Sequence, residues 1–266
     1  MGRWQENILY FTDTGKHFYS IQIFKLYTDG FNWKFPTGAI FLDIAKAFDS
    51  VWHRGLIYKL IKLNFPDHGI RLIVSYLQDR SFAVKIGNSV STRRNIFAGV
   101  PQGSVLSPYL YNIYTCDIPE DSQITIALFA DDTAVMIQAS TATVVQLFLQ
   151  HYLNHLEKWL ISWKIAVNSE KSKAIIFRKG QTNFTLPRPL LVDVEIDWVD
   201  EVKYLGVILD KKLTFQKHRR ETLKKINITL ATMRPLLDRR SHMSVSNKLN
   251  SYKSILQPAL LYAIPV

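Results

Sequence analysis

Two apolar runs lie so close together in the sequence that they constrain the fold more than any other feature. Residues 124–130 and 133–137 are separated only by Asp131 and Asp132. Short apolar runs joined by two polar residues are typical of an antiparallel β-hairpin. Helical apolar spacing occurs on both sides, most clearly over residues 45–63 and 140–163. Hairpins interspersed with helices predict an α+β fold with an antiparallel sheet, rather than a doubly wound parallel sheet.

Further periodic segments complete this α+β pattern. Residues 39–42 predict a buried strand, and a second hairpin is predicted around Gly87 and Asn88. Pro108 suits the first turn of a helix that runs toward residue 115. From residue 218 onward, helical spacing continues with predicted breaks at Pro235 and Pro258.

Composition excludes several classes of protein. With 266 residues, of which 47% are hydrophobic and 12% aromatic, the chain can bury a core and is not wholly disordered. The single cysteine, Cys116, excludes an internal disulfide framework. The longest uncharged stretch, 133–156, is interrupted by polar residues, so neither a membrane span nor a signal peptide is predicted. We therefore expect an intracellular globular protein, in the nucleus or the cytoplasm.

The net charge of +11 is concentrated in one part of the chain. Residues 211–266 contain 12 Lys and Arg but only two Asp and Glu, a net +10, whereas residues 1–210 carry 21 against 20. No Lys or Arg lies between Arg94 and Lys158, where six acidic residues occur. A solvated basic surface and an anionic membrane are alternative explanations, but charge clustered on one segment favours nucleic acid. The acidic centre suggests bound cations.

Carboxylates follow two of the predicted strands. Asp43 directly follows residues 39–42, and Asp131 and Asp132 form the tip of the first hairpin. If these strands are neighbours, the carboxylates converge and repel one another unless a cation lies between them. Mg²⁺ fits because it binds through one or two carboxylates plus substrate phosphates. A turn at the hairpin tip, a helix cap at Asp43 and a metal-dependent nuclease remain alternatives.

Several sequence blocks resemble the reverse transcriptases of non-LTR retrotransposons. Residues 39–56 (AIFLDIAKAFDSVWHRGL) resemble their first catalytic block, 99–113 (GVPQGSVLSPYLYNI) their substrate-positioning block, and 127–134 (ALFADDTA) their Phe-Ala-Asp-Asp block. Residues 163–173 and 202–210 are similar to the next two blocks, and 248–258 to a thumb helix. Group II intron maturases share some of these pieces, but the first block points to jockey-like animal elements.

The resemblance implies the right-hand polymerase fold. Its palm is an antiparallel sheet with packed helices and a ferredoxin-like core. The implied divisions are a divergent N-terminal segment (1–20), partial fingers (21–38 and 65–98), a palm (39–64 and 99–210) and a partial basic helical thumb (211–266). Compared with the family, the chain is expected to be truncated at both ends.

The resemblance also implies roles for individual residues. Asp43 and Asp131 are similar to the metal ligands, Asp132 to the third acid, and the backbone carbonyl of Ile44 would face a metal. Lys171 resembles the lysine that protonates the leaving pyrophosphate, although a mobile surface lysine is the alternative.

Three further residues resemble the nucleotide-binding part of the family. Phe48 is similar to the steric gate that rejects a ribose 2′-OH, and a core aromatic is its alternative role. Gln102 and Gly103 resemble the turn against the incoming nucleotide, with an ordinary Pro-Gly turn as the alternative.

The function that the resemblance implies is RNA-directed DNA polymerase activity. Two Mg²⁺ ions, or Mn²⁺ in their place, would assist transfer from a deoxynucleoside triphosphate to a DNA primer on an RNA template. An inactive truncated remnant that still binds nucleic acid is the alternative function; no membrane is expected among the partners. In either case the predicted phosphate-binding residues are Lys211, Lys212, Lys217, Arg219, Arg220, Lys224 and Lys225.

Overall fold

The structure is a computed structural model that describes residues 8–10, 35–180 and 185–261. The predicted segment 1–20 and the first part of the predicted fingers, 21–38, therefore lie largely outside the described residues. The strands, in chain order, are β1 (Ile8–Tyr10), β2 (Thr37–Ile44), β3 (Ser81–Phe82), β4 (Lys85–Ile86), β5 (Ser89–Val90), β6 (Arg94–Asn95), β7 (Thr125–Phe129), β8 (Asp132–Gln138), β9 (Val167–Phe177), β10 (Leu190–Leu191), β11 (Val194–Glu195), β12 (Asp197–Trp198), β13 (Glu201–Tyr204) and β14 (Val207–Asp210).

Helices connect the strands and make up the C-terminal part of the described chain. In order they are α1 (His53–Lys62), α2 (Asp67–Leu77), α3 (Leu106–Thr115), α4 (Ala142–Ser162), α5 (Gln216–Leu237), α6 (Val245–Ser251) and α7 (Gln257–Leu261), with a π-helical turn, Tyr252–Leu256, between the last two. Within the described ranges, none of these helices combines the length and the apolar character that crossing a membrane requires.

The central sheet contains six strands in the order β1-β7-β8-β2-β9-β12. Its four inner strands, β7, β8, β2 and β9, pair with one another in antiparallel orientation. The chain passes through β2, then α1 to α3, the β7–β8 hairpin, α4 and finally β9. This β-α-β-β-α-β sequence of elements, in this strand order, is the ferredoxin-like arrangement. The predicted α+β class and ferredoxin-like core are confirmed.

The two edge strands depart from the expected antiparallel sheet. β1 pairs with β7 in parallel, and β12 pairs with β9 in parallel. Each edge strand is separated along the chain from the inner strands by a long connection, which allows a parallel crossover where a tight turn would not. The predicted antiparallel pairing is therefore confirmed for the inner strands but is wrong for the two edge strands.

β2 is buried on both faces of the sheet. Ile40, Leu42 and Ile44 pack into the larger core cluster with α1, α3 and α4. Ala39 and Phe41 point to the opposite face, where they pack against the β13–β14 hairpin. Successive side chains of a strand alternate between faces, so a central strand covered on both sides is continuously apolar. The predicted buried strand at 39–42 is confirmed, and it extends by two residues at each end.

Replacing Gly38 by Ala is expected to lower the free energy of unfolding by about 1–3 kcal/mol, the usual cost of overpacking a core. A Cβ at Gly38 would lie 2.2 Å from Val145 Cγ1 and 3.0 Å from Leu149 Cδ1, because α4 crosses β2 closely at this point. Urea unfolding measures the change. Gly69→Ala in α2 is the control, since its Cβ would meet only the edge of the exposed Phe65 ring. Equal stabilities for Gly38→Ala and the unaltered chain would contradict this account.

Three helix predictions differ from the structure. The predicted break at Pro258 is absent, because α6, the π-helical turn and α7 follow one another without a gap and Pro258 lies inside α7. The helix predicted over residues 45–63 begins only at His53, because residues 45–49 form a turn in which Lys46 has a φ of 51°. Pro235 does not break the C-terminal helix, since α5 continues through it to Leu237. A proline one turn from the end removes one backbone hydrogen bond without preventing the last residues from being helical.

Candidate active site

The two predicted acidic motifs lie side by side at the same end of the sheet. Asp43, near the end of β2, is directly opposite Asp132, the first residue of β8. The backbone N–H of Ile44 donates a hydrogen bond to the carbonyl oxygen of Asp131 over 3.0 Å. The structure therefore brings together Asp43, Ile44, Asp131 and Asp132, although the two motifs are far apart in sequence.

The turn between β7 and β8 holds its acidic residues in different environments. Ala130, which precedes them, adopts a left-handed φ of 51°, an uncommon conformation for a residue other than glycine. Asp131 is exposed at the tip, whereas Asp132 begins the strand and is half-buried. Asp131 is thus accessible to a ligand, while Asp132 is fixed by the sheet.

Crowding among the carboxylates changes the proton affinity of Asp132. Burial, together with the negative charges of Asp131 and Asp43, raises the pKa of this carboxyl from 3.8 to about 6. A cation between the carboxylates would relieve both effects because it stabilises their ionised forms. The electrostatics of the site therefore fit a bound divalent ion.

The carboxylates at the strand ends could supply only part of the ligands of a cation. Among the described residues, no group of three or more His, Cys, Asp and Glu side chains is arranged to hold a metal ion. Mg²⁺ commonly takes only one or two protein carboxylates and completes its coordination with water and substrate phosphates. The paired strand ends can supply such a partial set, but they do not form the three-carboxylate cage of a structural metal site.

Replacing Asp132 by Asn is expected to stabilise the metal-free chain at pH 8. The pKa is raised in the folded state, so stability falls as the pH rises from about 4 to about 6 and the carboxyl ionises. The shift corresponds to roughly 3 kcal/mol, of which we expect about 1 kcal/mol because solvent screens a partly exposed group. Urea unfolding at pH 4 and pH 8 should show the gain at pH 8 and little at pH 4.

The control for that experiment is Asp193→Asn, an exposed position in the β10–β11 turn. Its φ of 58° suits asparagine as well as aspartate. A gain at pH 8 that Asp193→Asn reproduces would show that the effect is not specific to the crowded acids.

Lys171 reaches the acidic site from β9. Its Nζ lies 3.8 Å from Asp43 Oδ2, and its side chain is 69% exposed. An exposed pair at this distance contributes little to stability. Lys171 is therefore near the acids and free to move, as the predicted proton donor and the alternative surface lysine both require.

Phe48 and the turn at 99–103 are joined by their backbones. The N–H of Val100 donates to the carbonyl of Phe48 over 2.7 Å, and the N–H of Gly99 donates to that of Val51 over 2.8 Å. A Cβ at Gly99 would lie 2.6 Å from the Asp49 carbonyl oxygen, and its φ is +88°, so this close approach requires glycine. The same turn carries Gln102 and Gly103, both exposed. The predicted nucleotide-binding residues therefore share one surface.

Sequence reasoning missed three partners of these residues. Gln102 Nε2 donates to Asp49 Oδ1 over 3.0 Å, and the Phe48 ring lies 5.3 Å from that of Tyr111. Burial, and to a lesser extent the charge of Asp131, raises the pKa of Tyr111. Tyr204 is the third: its buried hydroxyl has no hydrogen-bond partner among the described residues, and the charge of Asp132 adds to burial in raising its pKa. Each of the three lies within a sequence block that resembles the reverse transcriptases, and this position was the sequence signal that could have indicated a role: Asp49 in 39–56, Tyr111 in 99–113 and Tyr204 in 202–210.

The predicted phosphate-binding residues divide into two groups. Lys211 Nζ forms an ion pair over 2.7 Å with Asp200, the residue before β13. Lys217 forms an ion pair with Glu201, the first residue of β13. No ion pair among the described residues involves the remaining five, which are exposed: Lys212, Arg219, Arg220, Lys224 and Lys225. On α5, Lys217, Arg220 and Lys224 follow the i, i+3, i+7 spacing of one helix face, opposite buried Ile226 and Met233.

The ferredoxin-like sheet, with carboxylates at two adjacent strand ends, defines a nucleic-acid polymerase palm. Its fold matches that of a solved apo telomerase from Candida tropicalis, truncated from its C-terminal domain, with a TM-score of 0.52 and 15% identity over 78% of this chain and 40% of that one. A Candida tropicalis telomerase in complex with a fragment of telomeric RNA gives the same TM-score at 13% identity, over 94% and 42%. Similarity at this level concerns the fold alone.

The chain belongs to the reverse transcriptase (RNA-dependent DNA polymerase) family, whose family model matches residues 3–209. It is 37% identical over 243 residues to the RNA-directed DNA polymerase from mobile element jockey of Drosophila melanogaster, covering 88% of this chain and 26% of that protein. It is 38% identical to the probable polymerases of the X-element and of transposon BS from the same species, covering 86% of this chain in each and 25% and 26% of those proteins. The predicted resemblance to jockey-like elements is confirmed, and the chain spans about a quarter of the length of these relatives.

Proposed function

We propose that this chain carries the nucleotidyl-transfer centre of an RNA-directed DNA polymerase, which adds deoxynucleotides to a DNA primer along an RNA template. The observation that supports this most strongly is the placement of Asp43 directly opposite Asp132, with Ile44 bonded to Asp131. Deoxynucleoside triphosphates and RNA are intracellular molecules, so we place the activity inside the cell.

The proposed cations are two Mg²⁺ ions, with Mn²⁺ as a substitute. Their proposed protein ligands are the carboxylates of Asp43 and Asp131, with Asp132 as the third acid and the Ile44 carbonyl beside them. When bound, divalent cations would activate the primer hydroxyl and neutralise charge on the departing phosphates. The raised pKa of Asp132, which follows from burial and from two neighbouring negative charges, supports cation binding at this point.

The neighbouring residues have complementary proposed roles. Lys171 carries a mobile ammonium near Asp43 and would donate a proton to the leaving pyrophosphate. The ring of Phe48, held by Tyr111, would exclude a ribose 2′-OH. Gln102, whose side-chain amide is positioned by Asp49, and Gly103, which lacks a side chain, would line the nucleotide.

The proposed divisions follow the order of the elements. Residues 39–64 and 99–210 would form the palm, and they contain the inner sheet except for Thr37 and Gly38 at the start of β2. Residues 21–38 and 65–98 would be parts of the fingers. Residues 211–266 would be part of the thumb, with the exposed basic side chains of α5 following the phosphates of the template–primer duplex. Arginine and lysine on one helix face suit a regularly charged backbone that is read without regard to sequence.

Primer extension tests this function. The chain is incubated with an RNA template, an annealed DNA primer, deoxynucleoside triphosphates and either Mg²⁺ or Mn²⁺. We expect elongated primers, and much less product with ribonucleoside triphosphates. Filter binding across a salt series, run in parallel, measures phosphate contacts as a fall of affinity with salt. Salt-sensitive binding without any extension would instead support the nucleic-acid-binding remnant.

A further inference from the structure

β9 contains a bulge directly beside Asp43. In the pairing of β2 with β9, Phe41 lies opposite Lys173, but Asp43 lies opposite Asn168. One residue of β2 therefore faces four residues of β9, which are Ser169, Glu170, Lys171 and Ser172. A bulge interrupts the ladder of backbone hydrogen bonds and redirects the side chains that it carries. The interruption falls where the proposed function needs a fixed carboxylate.

The hydroxyl of Ser172 closes this gap. Its side chain is fully buried, at 0% exposure. Ser172 Oγ accepts a hydrogen bond from the backbone N–H of Asp43 over 3.3 Å and donates one to the carbonyl of Asn168 over 2.8 Å. A serine hydroxyl can do both at once because it has one donor and two acceptor positions. It thus replaces the strand-to-strand bond that the bulge removes.

Packing behind the bulge is incomplete. A cavity of about 420 Å³ lies between β9, the end of α4 and the β10–β11 hairpin, and its lining includes Val167, Ser169 and Ser172. Because part of the bulge borders this cavity, the hydrogen bonds of Ser172 help to hold it in place. The same bulge carries Lys171, whose Nζ lies 3.8 Å from the Asp43 carboxylate.

We propose that Ser172 is a positioning residue, whose hydroxyl fixes the backbone of Asp43 and the bulge that places Lys171 beside it. The structural part of this proposal depends only on the fold, whereas its catalytic consequence rests on the proposed function. Removing the hydroxyl leaves the Asp43 N–H and the Asn168 carbonyl without this buried partner. Threonine keeps the hydroxyl and adds only one methyl group.

Amide hydrogen exchange, followed residue by residue by NMR, tests the structural part. Loss of one buried hydrogen bond should make the Asp43 amide of Ser172→Ala exchange about fivefold to tenfold faster relative to the other amides of β2. Ser172→Thr should restore the slow rate. Thr37→Val is the matched control: Thr37 is buried at the opposite end of β2, and its hydroxyl also takes part in a hydrogen bond, with Gln138.

The proposal is overturned if the Asp43 amide of Ser172→Ala exchanges at the unaltered rate, or if Thr37→Val accelerates it equally. Primer extension with the same variants tests the catalytic part. We expect Ser172→Ala to lower kcat about tenfold with little change in KM for the template–primer, and Ser172→Thr to recover it. Equal loss in Thr37→Val would contradict a positioning role. If even the unaltered chain extends no primer, the proposed function fails, while hydrogen exchange still decides the role of Ser172.

Discussion

Replacing Asp131 by Asn is expected to reduce primer extension by about a thousandfold or more. The exposed carboxylate at the tip of the β7–β8 turn is a proposed cation ligand, and its interaction is worth several kcal/mol in the transition state, where each 1.36 kcal/mol is a factor of ten in rate. The fold should survive, because asparagine suits a turn and the bond that Asp131 makes to Ile44 uses the backbone carbonyl. Single-turnover extension at saturating template–primer measures the loss.

Asp193→Asn provides the control for the chemical change, since it makes the same substitution in another turn. Neither variant should have a lower unfolding midpoint than the unaltered chain. Extension by Asp131→Asn at more than about a tenth of the normal rate would contradict the ligand role, because it corresponds to only 1.4 kcal/mol. A lowered midpoint would instead support the alternative in which Asp131 serves the turn.

Replacing Asp117 by Ala is expected to lower the free energy of unfolding by about 2 kcal/mol, less than the cost of breaking a fully buried ion pair, because solvent screens the 45% exposed Asp117 side chain. Lys59 is only 3% exposed, and its Nζ lies 2.5 Å from Asp117 Oδ1. The ammonium also donates to the carbonyl of Tyr114 and lies 3.5 Å from the centre of the Trp163 ring. Without the Asp117 carboxylate, the positive charge of Lys59 remains buried beside aromatic rings and has no anionic partner.

A double-mutant cycle separates this ion pair from simple loss of packing. Lys59→Met keeps most of the side-chain volume and removes the charge, so it should cost less than Asp117→Ala. In the Lys59→Met background, Asp117→Ala should cost only about 1 kcal/mol, mainly for the lost bond from Trp159 Nε1. Additive costs would show that the two residues are not coupled.

The pH dependence of Asp117→Ala gives an independent check. Burial lowers the pKa of Lys59, while the hydrogen bond and the charge of Asp117 raise it. Removing Asp117 should lower the pKa in the folded state further below 10.5. The unfolded chain then binds more protons as the pH approaches 10.5, so stability should rise from pH 8 to pH 10, and more in the variant than in the unaltered chain. Urea unfolding at these two pH values measures the recovery, which should be absent in the double variant.

Local patterns predicted the inner sheet well because they depend on neighbouring residues. The hairpin at 124–137 is confirmed because two polar residues between apolar runs leave the chain few alternatives. The edge strands were not predictable in this way. Their parallel pairing joins segments that lie apart in the sequence, so no local window contains both partners.

Phe48 shows how a tertiary contact overrides local periodicity. Residues 45–63 have helical spacing, yet the first of them form a turn. The carbonyls of Phe48 in this turn and of Val51 just after it accept hydrogen bonds from Val100 and Gly99. These partners lie about 50 residues away in sequence, so no local window contains them. Phe48 consequently lies on the turn, against Tyr111, and not on the predicted helix.

The sequence by itself determined the α+β class, the buried strand that ends in Asp43, the hairpin that carries Asp131 and Asp132, and the basic C-terminal segment. These follow from apolar spacing and charge, which are properties of short stretches. Only the tertiary structure decided that Asp43 lies opposite Asp132, that Ser172 closes the gap in β9, and that Asp49 holds Gln102. Those contacts depend on strand register and on a bulge, which long-range packing sets.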